Sequence, residues 1–150
     1  FISGSFVSFS VSAEDINLLC VPQHHIYSQL SGKFGKNIEC SKFRARYPDA
    51  VGCSAFQLSF DSGSSSALYS IDSYKQYYNV KKSYFDYKLV QSTVKPGVGG
   101  TERVIRVDRR DLTFSYKEKW SIYASQQLLF AKNTSETGWC IKVEAPENQI

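Results

Sequence analysis

The sequence predicts an all-β protein: a single antiparallel barrel of about eight strands, with a β-sandwich as the alternative. Three observations predict it. Apolar residues alternate with polar ones, Phe56, Leu58 and Phe60 with Gln57, Ser59 and Asp61, and Leu112, Phe114, Tyr116 and Trp120 with Thr113, Ser115, Lys117 and Lys119, which is the period of a strand with one face buried. No stretch keeps a 3.6-residue period over three turns. Turn chemistry cuts the chain at short intervals: the polar or glycine-rich stretches 62–66, 95–100 and 133–138 are expected as connectors, and 108–111 as a tight hairpin. A barrel is preferred over a sandwich because sequential hairpins close simply and closure removes exposed edges.

Taken in order, residues 1–13 read FISGSFVSFSVSA, uncharged and rich in small residues. Val11 and Ala13 suit the minus-three and minus-one positions of a signal-peptidase site, so 1–13 are expected as the end of a secretory leader and 14–150 as one all-β domain. The chain holds no methionine, even at position 1, so the start of translation is expected upstream. Strands are expected at 16–21, 56–60, 67–72, 83–91, 102–109, 112–120, 127–132 and 139–145, with a short helix admissible at 72–80. On the strand from Ser83, alternation sends Phe85, Tyr87 and Leu89 to one face and Tyr84, Asp86 and Lys88 to the other.

Four cysteines in a chain with a leader imply disulfides. Cys40 and Cys53 bracket a short stretch with Arg46, Pro48, Asp49 and Gly52, read as irregular, that a local bridge would staple. Cys20 and Cys140 would then tie the first strand to the last. These two pairings place the protein in an oxidising compartment, periplasmic or secreted. A zinc site is disfavoured: no pair has CxxC spacing, and the adjacent His24 and His25 point apart on a strand. No metal and no cofactor are expected.

The segment VIRVDRRDLTFSY at 104–116 and the end GWCIKVEAPENQI at 138–150 carry a resemblance. Val107-Asp108-Arg109 before a turn, an alternating strand, and Gly138-Trp139-Cys140 in the last strand, with an early cysteine at Cys20, resemble small exported bacterial all-β proteins of unknown function. The resemblance covers about a third of the chain. Asp111 stands where a turn glycine is common in that pattern, and Cys40 and Cys53 are additional. It implies a bacterial, periplasmic, lipocalin-like barrel or sandwich with no assigned activity.

Candidate chemistry is sparse. His24 and His25 are the only histidines, no G-x-S-x-G elbow exists, and oxidised cysteines are poor nucleophiles; an exposed loop pair of histidines and a non-enzyme are therefore expected. With 18 Lys+Arg against 14 Asp+Glu, the net charge of +4 falls short of a nucleic-acid footprint. Arg103, Arg106, Arg109 and Arg110 crowd one hairpin beside Asp108 and Asp111 and read as neutralised surface charge. The densest aromatic cluster holds Tyr69, Tyr74, Tyr77, Tyr78, Tyr84, Phe85 and Tyr87, with lysines interleaved. Tyr77, Tyr78 and Tyr84 are the candidate binding platform, Tyr84 partly exposed, with Lys88 able to meet a negative group. The expected function is a small binding protein for an apolar or aromatic ligand. The alternative is a protein-contact module: an inhibitor, an immunity factor or an envelope-assembly partner.

Overall fold

A computed structural model describes residues 15–29, 37–61 and 63–144. The proposed leader at 1–13 lies outside them. The elements in chain order are β1 (Asp15–Gln29), β2 (Ile38–Glu39), α1 (Cys40–Arg46), β3 (Phe56–Asp61), β4 (Ser66–Ile71), β5 (Tyr74–Lys82), β6 (Asp86–Ser92), β7 (Gly99–Asp108), β8 (Thr113–Ala124) and β9 (Gln127–Lys142). From β3 to β9 each strand pairs antiparallel with the next, β1 pairs with β3 on one side, and β1 pairs with β9 on the other. The sheet therefore closes into an eight-stranded up-and-down barrel, with β2 as an extra strand. β2 pairs with His24 and His25 of β1, beyond the point where β3 ends, so the segment between β2 and β3 lies at one end of the barrel.

The barrel interior divides along its axis. One half is apolar and filled: Leu18, Leu58, Phe60, Val80, Leu89, Ile105, Val107 and Phe114 are all buried there. Its far end is closed by Phe60 edge-on to Tyr87 at 5.0 Å, with the Arg109 guanidinium 4.8 Å above the Tyr87 ring. Towards the other end the inward positions of the same strands turn polar. Val107 and Ile105 give way to Arg103 on β7, Leu89 to Gln91 on β6, Val80 to Tyr78 and Gln76 on β5, and Phe114 to Tyr116 and Glu118 on β8.

Both expected disulfides form. Cys20 and Cys140 are direct partners in the β1–β9 register and close the barrel seam; Cys40 and Cys53 clip the start of α1 to the loop that follows it.

Four expectations are corrected. The stretch after Cys40 is a helix, because Cys40, Phe43 and Tyr47 recur at helical spacing and Phe43 lies against the His25 ring at 4.5 Å. The proposed connector at 133–138 is the middle of β9: its turn-like composition reflects a strand whose inward side chains, Thr134 and Glu136, face a polar interior. Residues 74–80 are strand rather than helix, paired with β4. Phe85 does not join the inward face of Tyr87 and Leu89; it sits in the β5–β6 turn, where the Ser83 hydroxyl binds the backbone N–H groups of Phe85 and Asp86, and is largely exposed.

Candidate functional site

A β-bulge decides which histidine enters the barrel. Leu18, Cys20 and Pro22 point inward at alternate positions, so strict alternation would bury His24 next. In the pairing with β9, however, Pro22 faces Gly138 and His24 faces Thr137, leaving Gln23 as an extra residue. Parity is reversed beyond it. His25 is buried and His24 is exposed, which corrects the expectation of an exposed loop pair. Gly138 permits the bulge: a Cβ there would collide with the Val21 carbonyl oxygen and stand 2.9 Å from Phe114 Cε1.

Inside, His25 Nδ1 lies 2.7 Å from Glu136 Oε2. The carboxylate is the acceptor, so Nδ1 carries the proton. The same oxygen accepts the Cys53 backbone N–H at 2.7 Å. Glu136 thus fastens the loop after α1 to the barrel wall, beside the Cys40–Cys53 disulfide. His25, Cys53 and Glu136 bring their donor atoms within 4.8 Å of one another, but the Cys53 sulfur is bonded to Cys40. One imidazole and one carboxylate remain, fewer protein donors than a zinc site uses.

Above the apolar half lie two adjoining cavities of about 250 Å³ and 450 Å³ that share Val51, Tyr69, Ile71, Tyr116 and Glu118 in their walls. The smaller reaches His25, Glu136 and Phe43 of α1; the larger reaches Gln76, Tyr78, Arg103 and the exposed Tyr74 at the rim. Phe56, Tyr69 and Tyr78 form a row with ring centroids 5.1 Å and 5.4 Å apart, which fixes the two phenols without help from a ligand.

The polar groups of this wall are mostly paired. Tyr116 donates its hydroxyl to Glu118 Oε2 at 3.0 Å, Arg103 Nε lies 3.4 Å from that oxygen, and Arg103 Nη1 donates to Gln91 Oε1 at 2.8 Å. Arg103 is therefore an interior residue, which corrects its reading as surface charge. Burial opposes its charge, yet Glu118 and the Tyr116 and Tyr78 hydroxyls more than offset this and raise its pKa. Burial also raises the pKa values of Tyr69, Tyr78 and Tyr116, and the Glu118 carboxylate adds to the rise in all three. One group stands out. The Tyr78 hydroxyl is buried and is the one such side-chain atom among the described residues without a hydrogen-bond partner.

Of the four residues proposed for a binding platform, only Tyr78 lines either of these two cavities. Tyr77 stands on the outer face of β5 at 70% exposure, and Tyr84 is in the β5–β6 turn at 87%, against a ring edge of Phe85. Lys88 is on β6, paired in register with Lys81 and Arg106. Tyr69, Tyr116, Arg103, Glu118, His25 and Glu136 escaped the sequence reading of the site. The available signal was the change from apolar to polar at alternate positions, Phe114-Tyr116-Glu118 and Val107-Ile105-Arg103, which marks an interior that stops being a core. No protein-family model, curated protein or solved structure matches the chain.

Proposed function

We propose that this protein binds a small aromatic molecule within the polar half of its barrel and does not catalyse a reaction on it. The observation that carries this reading is a cavity of about 450 Å³ whose wall combines the tyrosines Tyr69, Tyr78 and Tyr116 with the polar side chains of Gln76, Arg103 and Glu118. The volume falls in the range of pockets that enclose small ligands. The row of phenol rings supplies the apolar wall, and the clipped loop at Val51 supplies a cover.

Export to a periplasm or the extracellular space is part of the proposal. Two disulfides fit an oxidising compartment, the composition of 1–13 fits a leader, and among the described residues no helix is long and apolar enough to cross a membrane.

Titration with 2-naphthol, followed by its own fluorescence, tests the reading. Binding is expected for the unaltered chain, loss of at least tenfold for Gln76→Trp, whose indole fills the larger cavity, and no change for Tyr77→Ala or Tyr84→Ala. Undiminished binding in the folded Gln76→Trp protein, or loss in Tyr84→Ala, would move the site to the outer face.

The second reading, a protein-contact module, is favoured by the exposed apolar residues Ile122, Leu128 and Leu129 at the end of the β8–β9 hairpin and Val98 of the adjoining β6–β7 turn. It predicts that Leu128→Ser with Leu129→Ser removes partner binding while leaving 2-naphthol uptake intact.

A further inference from the structure

We infer that the cavity selects a cationic ligand, an aromatic ring carrying a protonated amine, rather than a neutral or anionic aromatic; this rests on the binding reading above. The charge in the wall runs against that of the molecule. The chain carries a net +4, yet the two cavities are lined by the carboxylates of Asp72, Glu118 and Glu136 against the single guanidinium of Arg103. Two negative charges are then uncompensated with His25 neutral, and one with His25 protonated.

Arg103 is not available to clamp an anion. Gln91 Oε1 at 2.8 Å and Glu118 at 3.4 Å already engage it, so a ligand carboxylate would meet the carboxylates of Asp72, Glu118 and Glu136 and a guanidinium that is already taken. An ammonium meets the reverse situation. It is attracted by the carboxylates, and the electron-rich faces and hydroxyl oxygens of Tyr69, Tyr78 and Tyr116 favour a cation over an anion within about 6 Å. The low-dielectric walls strengthen each of these terms relative to water.

Three probes of the same phenylpropyl skeleton test the charge: 3-phenyl-1-propylamine, 3-phenyl-1-propanol and 3-phenylpropionate, titrated calorimetrically into the oxidised full chain at neutral pH. The amine is expected to bind about tenfold tighter than the alcohol, and the carboxylate not measurably. In Asp72→Asn, a rim substitution outside the Arg103–Glu118 contacts, the preference of amine over alcohol is expected to fall by about two- to threefold. Equal affinities for amine and alcohol, or tighter binding of the carboxylate, would overturn the inference while leaving aromatic binding in place. Failure of all three probes together with 2-naphthol would overturn both.

Discussion

Replacing Tyr78 by Phe removes one oxygen atom and leaves the ring row intact. In most proteins deleting a buried hydroxyl costs stability, because the hydroxyl's partner is abandoned. Here there is no partner to abandon: the Tyr78 hydroxyl is buried without a hydrogen bond among the described residues. Its burial without compensation opposes folding by about 1–3 kcal/mol, so Tyr78→Phe is expected to leave the ligand-free protein equally stable or up to about 1 kcal/mol more stable, which corresponds to a rise of about 2–4 °C in Tm. Tyr116→Phe provides the contrast. Its hydroxyl donates to Glu118 Oε2 at 3.0 Å, a bond to a charged acceptor worth about 2 kcal/mol. A fall of about 4–8 °C is therefore expected for that variant. Thermal and urea unfolding of the two variants beside the unaltered chain decide the matter. Destabilisation by more than about 1 kcal/mol in Tyr78→Phe, or no change in Tyr116→Phe, would refute the account of the cavity wall.

Four further outcomes follow from the same geometry. Tyr69, Tyr78 and Tyr116 have folded-state pKa values raised above the ordinary tyrosine value of about 10. Their contribution is thus fully present below pH about 10 and is lost as pH rises beyond it, where the unfolded chain ionises first; phenolate absorbance should show these three of the ten tyrosines ionising only with unfolding. Gly138→Ala forces a methyl group against the Val21 carbonyl and the Phe114 ring and is expected to cost about 3 kcal/mol in urea unfolding. Glu136→Ala strips the acceptor from both His25 and the Cys53 N–H; a loss of about 3 kcal/mol and faster amide exchange at Cys53 are expected. Deleting Gln23 removes the bulge while keeping His25 inward, so a folded barrel with the His25–Glu136 contact retained is expected in its NMR spectrum, and a collapsed or misregistered product would contradict the assigned pairing.

The barrel was readable where side chains on the inner face are apolar, because Phe56-Leu58-Phe60 and Phe114-Tyr116 announce a strand by contrast with their neighbours. It was unreadable where the inner face is polar. Thr134 and Glu136 carry no such contrast, so the middle of the longest strand looked like a connector. The site is obscured by the same cause, since a polar interior imitates a surface in one dimension, and Arg103 therefore reads as surface charge. His25 was hidden differently: its inward direction depends on one unpaired residue, Gln23, whose effect emerges only from the pairing with β9. The disulfides needed less, because cysteine spacing and position limited the choices. Helix α1 was present as Cys40, Phe43 and Tyr47, too short a run to override the turn residues that follow.

The β1–β9 seam also has a consequence for how the chain comes into being. Cys20 and Cys140, which face each other across it, are 120 positions apart, and the remaining strands join only sequential neighbours. A chain emerging from its N-terminus can zip hairpin after hairpin from β3 onward, yet one edge of β1 must wait for the last strand to arrive. During that interval the nascent sheet has two open edges and a half-covered apolar floor, the condition in which strands recruit copies of themselves. Closure is therefore the slow and vulnerable step. A chain cut short before Gln127 would keep every hairpin from β3 to β8 and still never become a barrel.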